Sequence, residues 1–500
     1  MDTTILFFVS SGLFLGWSLG ANHAVNVFGT AVVSKMVKFR TAAMIAGLFV
    51  ILGSVCGGAG TTKTLNDLGA INAIAGSFAV ALAVALSVTW MTRAQLPVST
   101  SQAVIGAIIG WNIFTGSPTD YHSLTRILFS WVASPLIACV FAFLLYKLLK
   151  KTVLTWRIHL LELDNYTRVG LVVIGALASY SLGANNIANV MGMFISAPLF
   201  ENITVFDLFT LTGVQQLFLL GGVSIAVGVF TYGYNVMRTV GKDLYEISPL
   251  TGFIVVLAEF LVLTLFTSQS LEAFLLKRNL PAFPLVPLST TQAFIGAVIG
   301  VGLAKDPLSI NFKVFGKIAT GWVVAPVSAS LITFLSLFFI QNVFEQKVVH
   351  LVPYEISSSV IQELEHKGIP VQSLQELMGQ RYYNKKAFTN AIKGCHHYDN
   401  DQIVMIFQLS IIDSFRIDSG LIHPDSDWMM LSPEQIEQLK LLHGTSYQRR
   451  LDFENAVYQD RNGWGHTGNK LHDKQIDELK LMMEALFRIR TIPDRSGSSE

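Results

Sequence analysis

Two pairs of short segments hold the residues whose types and spacing could do chemistry. The stretches Pro97-Val98-Ser99-Thr100-Ser101-Gln102 to Gly110 and Pro287-Leu288-Ser289-Thr290-Thr291-Gln292 to Gly300 are identical at 10 of 14 positions. Each places a proline at the start of a helical stretch, where its missing N–H costs nothing. Three hydroxyl residues follow in the first turn: Ser99, Thr100 and Ser101 in one copy, Ser289, Thr290 and Thr291 in the other. A first turn offers unpaired backbone N–H groups, the positive end of the helix dipole and, here, hydroxyl donors, which together suit an anion. Two such turns facing each other near the membrane midplane would hold a tetrahedral oxyanion without a full positive charge. The competing reading is a pair of buried helix caps; the duplication favours function.

The second pair is Ser18-Leu19-Gly20-Ala21-Asn22-His23-Ala24-Val25-Asn26-Val27-Phe28-Gly29 and Ser181-Leu182-Gly183-Ala184-Asn185-Asn186-Ile187-Ala188-Asn189-Val190-Met191-Gly192, identical at 8 of 12 positions. Amides inside apolar segments are costly unless paired, which makes them functional candidates. Asn22, Asn26, Asn185 and Asn189, with unwound backbone beside them, could offer carbonyl oxygens to a cation or hydrogen bonds to a substrate. Helix–helix packing is the alternative, and Gly20, Gly29, Gly183 and Gly192 read as packing or break-point residues. His23 could carry a coupling proton or stay neutral and hydrogen-bonded. Glu259, within Ile254–Phe266, is the only carboxylate clearly inside an apolar stretch; a paired structural role and a coupling role both fit it.

The elements that position these residues are membrane segments. Residues 1–344 carry 18 Lys and Arg against 12 Asp and Glu, about one charge in eleven residues, whereas 345–500 carry 17 against 22, about one in four. A membrane domain followed by a polar domain fits this split, and a single soluble core does not. Apolar stretches near 5–21, 41–59, 71–90, 126–148, 168–182, 208–230, 250–267 and 318–343 mostly approach the ~20 residues of a spanning helix. The shorter stretches 98–113 and 288–303 are expected to be broken or re-entrant, which requires burial in protein or a cavity. Gly60–Asp67 and the region of Arg238, Lys242 and Asp243 read as polar loops. The start, Met1-Asp2-Thr3-Thr4, has no basic region and reads as leading into a membrane segment rather than as a cleaved signal. Cys56, Cys139 and Cys395 are too few and scattered for a disulfide frame.

Motifs and a closing Trp/Pro helix (Trp131 and Pro135, Trp322 and Pro326) recur in the same order, which marks an internal duplication. Five crossings per half with the N-terminus outside put fourteen basic residues on the cytoplasmic side and five outside, as the positive-inside bias requires. An odd number of crossings makes the halves inverted relative to each other, and ten crossings place the tail outside the cytoplasm. The expected architecture is an all-α polytopic membrane protein with two inverted-topology repeats, 1–160 and 161–344, containing broken or re-entrant helices, plus a mostly α polar domain at 345–500. In that domain Ser432-Pro433-Glu434-Gln435 reads as a capping box, Gly444 as a helix stop, 471–490 as an amphipathic helix, 403–412 as a buried helix or strand, and Ser496–Glu500 as a frayed end. Cys395-His396-His397 with Asp399 reads as a surface loop rather than a metal site, for want of a second ligand pair.

At these four motifs the sequence resembles the inorganic phosphate transporter (PiT) family, including its sulfate permease-like members. That family has two inverted copies of a Gly-Ala-Asn-Asp-x-Ala-Asn signature and two Pro-x-Ser-Thr-Thr-His motifs, and the resemblance covers about 1–344. It implies cation-coupled phosphate uptake with substrate held between the halves. It places Asn22, Asn26, Asn185 and Asn189 on signature positions, the six hydroxyl residues on anion-contacting positions, and Glu259 where an acid is usual. The departures are specific. The signature aspartate is His23 in one copy and Asn186 in the other, and the histidine after the hydroxyls is Gln102 and Gln292. Losing both aspartates removes expected sodium ligands and eases binding of a dianion such as sulfate.

The resulting expectation is a multi-pass cell-membrane symporter for phosphate, proton- rather than sodium-coupled, with a sulfate permease as the alternative. Substrate contacts are assigned to the six hydroxyl residues, the four asparagines, Gln102 and Gln292, and coupling to His23, Asn186 and Glu259. No cofactor or firm metal site is expected; the coupling ion is H+ or Na+. The partners are the oxyanion and the lipid bilayer, with no nucleic acid, and a homo-oligomer is compatible. A transporter-like anion receptor signalling through the tail and an anion channel are the rival readings. A membrane enzyme fits least, since no nucleophile–base pair appears.

Overall fold

The computed structural model describes residues 3–69, 71–94, 98–156, 158–195, 200, 203–205, 209–240, 248–278, 280–307, 310–350, 352–383, 385–418, 431–458, 464–465 and 470–488. They divide into two compact units, Met1–Glu272 with Phe283–His350, and Ala273–Ala282 with Leu351–Glu500.

The first unit begins with α1 (Thr3–Ala24), which passes through a π-helical turn at Val25–Gly29 into α2 (Thr30–Val33). The first asparagine motif therefore lies on continuous helix with a widened turn, not on unwound backbone. After α3 (Phe39–Gly57), residues Ala59–Leu68 form α4, where a polar loop was expected. Composition misleads there because one face is apolar: Leu65 and Leu68 are buried, and Thr62 hides its hydroxyl by donating to the Gly58 carbonyl at 2.9 Å. Then come α5 (Ile74–Arg93), α6 (Thr100–Thr115), α7 (Tyr121–Trp156) and α8 (Leu160–Met191), closed by a 3-10 turn at Gly192–Phe194. The second asparagine motif ends α8, again on helix.

A short antiparallel hairpin, β1 (Ile203–Val205) with β2 (Phe209–Leu211), precedes α9 (Gly213–Thr231). Next follow α10 (Gly233–Val240), α11 (Pro249–Thr267), α12 (Gln269–Lys277), α13 (Thr290–Lys305) and α14 (Phe312–Asn342). Arg238 thus lies in a helix instead of the expected loop; Lys242 and Asp243 lie outside the described residues. The chain is a multi-pass membrane protein: among the described residues eight helices, α1–α2 together, α3, α5, α7, α8, α9, α11 and α14, are long and apolar enough to cross a bilayer. α6 and α13 have 16 residues each, about 24 Å at the usual rise and short of the ~30 Å hydrocarbon core.

Matched helices of the two halves pack in exchange. α1 lies on α9 and its counterpart α8 lies on α3; α6 lies on α14 and its counterpart α13 lies on α7. Glycines permit the closest approaches. A Cβ on Gly20 would run into the Ile225 carbonyl oxygen, and one on the matched Gly183 into that of Val50. Gly106 of α6 sits against the Pro326 carbonyl and the matched Gly296 of α13 against that of Pro135. These glycines are packing positions.

The second unit is smaller and mixed. β3 (Tyr354–Glu355) leads to α15 (Ser358–His366) and a 3-10 turn at Gln372–Leu377, then β4 (Arg381–Tyr382), α16 (Lys385–Cys395) and α17 (Asn400–Ser410). β5 (Ile412–Arg416), α18 (Pro433–Leu441), β6 (Ser446–Arg449), α19 (Arg450–Val457) and α20 (Lys470–Phe487) complete it. β3 pairs with β4 and β5 with β6, both antiparallel. The expected capping box at Ser432 is present, and Gly444 has φ 81°. The 403–412 run resolves into the end of α17 and the start of β5. Asp399, from the cluster weighed for a metal, instead caps α17 by accepting from the Gln402 amide at 2.7 Å. Ser496–Glu500 lie outside the described residues.

Candidate functional site

The two Ser/Thr segments form helix starts. Ser99 and Ser289 are the N-cap residues, accepting from the backbone N–H of Gln102 and Gln292 at 3.3 Å each. The expected first turn therefore begins one residue later, at Thr100 and Thr290. Pro287 falls two residues before the cap, outside the helix, and Pro97 lies outside the described residues. An α-helix leaves its first N–H groups without intrahelical acceptors. The serine caps satisfy the third of them, and those of Thr100, Ser101, Thr290 and Thr291 precede the first helical bond.

The two starts are tied together by matched bonds. Ser101 donates to the Leu288 carbonyl at 2.8 Å, and Thr291 donates to the Val98 carbonyl at 2.9 Å. The asparagine motifs hold the same two carbonyls from behind. Asn22 donates to Val98 O at 3.1 Å; Asn185 donates to Leu288 O at 3.0 Å and accepts from Leu288 N–H at 2.8 Å. Asn189 extends this frame by donating to the Ser101 hydroxyl at 2.8 Å. All these side chains are buried. Val98 and Leu288, just outside the helices, are thus the joints on which both turns are set. Their role is carried by backbone carbonyls, so nothing about their side chains signals it, and one is Val where the other is Leu. Thr92, also unmarked in the sequence, donates to the Asn22 side-chain oxygen at 3.4 Å.

One residue breaks the pairing. His23 is buried, and its two ring nitrogens meet the two helix starts: Nε2 lies 3.1 Å from Thr100 Oγ1 and Nδ1 lies 2.9 Å from Thr290 Oγ1. Asn26 Nδ2 lies 3.4 Å from the same Nδ1. The matched residue of the other copy, Asn186, makes no such bridge. It donates to the Leu182 carbonyl of its own helix at 3.0 Å and accepts from Asn189 at 3.2 Å. A neutral imidazole has one N–H and one lone pair, so one threonine accepts from the ring while the other donates to it; an imidazolium donates to both.

Glu259 of α11 is fully buried, with no hydrogen-bond partner at either carboxylate oxygen and with Asn26 facing it. Among the side chains of this unit whose burial is described, it is the only buried carboxylate, and none of the lysines or arginines is buried. Among the described residues no group of three His, Cys, Asp or Glu side chains is set to hold a metal ion. The electropositive groups shown at the helix starts are N–H groups, hydroxyls and two helix dipoles, each worth about half a charge at its end.

The chain is similar to several known proteins. The chain matches the sequence model of the phosphate transporter family over residues 19–333 and 282–412. A protein of Methanocaldococcus jannaschii named "putative phosphate permease" is 28% identical over 323 residues, 64% of this chain and 93% of that protein. One of the same name from Pyrococcus furiosus is 28% identical, covering 66% of this chain and 95% of its own length. Among solved structures, one described as the sodium-dependent phosphate transporter superposes with a TM-score of 0.56 at 21% identity, over 68% of this chain and 99% of its own.

Proposed function

The chain belongs to the phosphate transporter family, and from that premise we propose that it is a secondary transporter moving inorganic phosphate in symport with protons. The observation that carries the proposal is the contact of His23 with Thr100 and Thr290. One titratable ring sits between two helix starts that suit an anion. With the ring neutral, one threonine hydroxyl is committed to the lone-pair nitrogen. Protonation turns both nitrogens into donors, frees that hydroxyl too to donate to the substrate and adds a positive charge between the turns. Proton and anion then favour each other's binding, which is the thermodynamic requirement for symport. Asn26 faces both His23 and Glu259, and so links the two.

In this reading the N–H groups of Thr100, Ser101, Thr290 and Thr291 and the hydroxyls of Thr100 and Thr290 hold the oxyanion. Ser99 and Ser289 keep the starts closed, while Ser101, Thr291, Asn22, Asn185 and Asn189 fix the distance between them. Asn186 and Glu259 complete the coupling path. The exchanged packing of matched helices supports two inverted repeats that rock about the bound anion. Sodium coupling is disfavoured because His23 and Asn186 occupy the positions of the signature acids. The test is uptake of labelled phosphate into proteoliposomes with imposed gradients. Inward proton gradients should drive accumulation and sodium gradients should not. Equal uptake with a sodium gradient and no proton gradient contradicts the coupling, and no phosphate uptake under any gradient contradicts the substrate.

A further inference from the structure

We propose that Gln102 and Gln292 read the protons on the substrate, and so make the site select a protonated tetrahedral oxyanion over one that carries no hydroxyl. The inference rests on the anion-binding reading above and adds what distinguishes phosphate from sulfate.

The starting point is a capping box that is spelled in the sequence but not closed. Five described helices begin with a Ser, Thr or Asp cap followed three residues later by glutamine. In three of them the glutamine oxygen turns back onto the cap's N–H: Gln215 onto Thr212 at 3.0 Å, Gln402 onto Asp399 at 3.1 Å and Gln435 onto Ser432 at 2.8 Å. At α6 and α13 the serine half of the box forms, but Gln102 Oε1 and Gln292 Oε1 are buried with no partner. Both residues are at least 96% buried, with 3% and 4% of their surface exposed. Helical side chains tilt toward the N-terminus, so a glutamine in the third position hangs over the turn that carries the free N–H groups. An unpaired buried carbonyl is costly, and two at matched positions point to an absent donor.

The N–H groups of the turns and the protonated His23 ring are donors, and donors alone cannot tell phosphate from sulfate, since both present acceptor oxygens. The threonine hydroxyls donate or accept and so do not demand a substrate hydroxyl, while Asn189 Oδ1 is a further buried oxygen with no partner. Near neutral pH phosphate carries one or two hydroxyls and sulfate carries none. The Gln102 and Gln292 oxygens are the acceptors a P–OH group needs, while a bare sulfate oxygen would face a carbonyl lone pair. Sites built to pair a substrate hydroxyl reject analogues that lack it far more strongly than apolar pockets reject a change of size.

The experiment is equilibrium binding of labelled phosphate to the purified full-length protein at pH 7, competed by arsenate, sulfate and selenate. In the unmodified protein arsenate, which keeps its hydroxyls, should compete as phosphate does. Sulfate and selenate should require on the order of 100-fold more. In the Gln102→Leu/Gln292→Leu double variant the ratio of sulfate to phosphate affinity should narrow by about tenfold or more. Sulfate competing on a par with phosphate in the unmodified protein overturns the inference, and the competitor series stands even if the variant does not fold. An unchanged ratio in the variant also overturns it, as when the amides present their NH2 ends to both anions alike; transport of phosphate would then still stand. Binding of neither anion contradicts the transporter reading itself.

Discussion

At the scale of single residues, the site is a partly symmetric frame whose main departure is His23, with Asn189 bonding Ser101 where its match Asn26 lies against His23. Val98 and Leu288 are held in matched ways by Asn22 and Asn185, and by Thr291 and Ser101 from the opposite turn. His23 stands where symmetry would give a second Asn186. If it bridges the turns as the coupling residue, its two hydroxyl partners should be equally necessary. Thr100→Val and Thr290→Val keep the side-chain shape; the first strands the buried Nε2 and the second leaves Nδ1 only the Asn26 amide at 3.4 Å, a loss of about 1–3 kcal/mol. Each should lower phosphate uptake roughly 10- to 100-fold at that cost. Kinetics in proteoliposomes check this, and a large effect from one substitution with none from the other would contradict the bridge. The sequence exposed the motifs because side-chain identity was duplicated. It hid Val98 and Leu288 because their bonds are made by the main chain. It left His23 open between proton carrier and hydrogen-bonded neutral, since only three-dimensional placement shows both nitrogens engaged.

At the scale of elements, the two short helices carrying the site are gripped by long helices from opposite halves. Gly106 and Gly296 rest on the carbonyls of Pro326 and Pro135. Gly106→Ala and Gly296→Ala insert a methyl group into backbone contacts that have no flexible side chain to yield. Overpacking of this kind costs about 1–3 kcal/mol, and the matched geometry predicts similar losses for both. Thermal unfolding in detergent should show each variant melting below the unmodified protein; neutral substitutions would contradict the packing. The spans were legible because long apolar runs leave few alternatives in a bilayer. The failures came where that logic weakens. Gly60–Asp67 looks like a loop by polarity, but folds as α4 around buried Leu65 and Leu68. Pro287 looks like a first helical residue, yet the chain there is not helical, and the Leu288 carbonyl is bonded by Ser101 and Asn185.

At the scale of the whole molecule, the chain joins a membrane unit almost free of buried charge to a polar unit built on ion pairs. In the latter Glu355 bridges Arg381 at 2.7 Å and Arg449 at 2.6 Å, and Arg450 bridges Glu454 at 2.8 Å and Glu484 at 2.9 Å. Burial pushes the Glu484 carboxyl up to about 7, with Arg450 pulling it back and Glu454 raising it further. The folded state then holds this proton more tightly than the unfolded chain does. Its contribution to stability is present at acid pH and is lost as pH rises through about 7. Urea unfolding of this unit, followed by limited proteolysis of the full-length protein, should show its midpoint falling as pH rises toward neutrality. Glu484→Gln should flatten that slope, and an identical slope in the variant would contradict the assignment. The central claim is that anion and proton move together through His23. Its most direct test is the lumenal pH of proteoliposomes loaded with a pH-sensitive dye when phosphate is added outside under a clamped membrane potential. The account predicts acidification that tracks phosphate entry in the unmodified protein and is lost in His23→Gln. Phosphate entry without acidification, or acidification unchanged in His23→Gln, would contradict it.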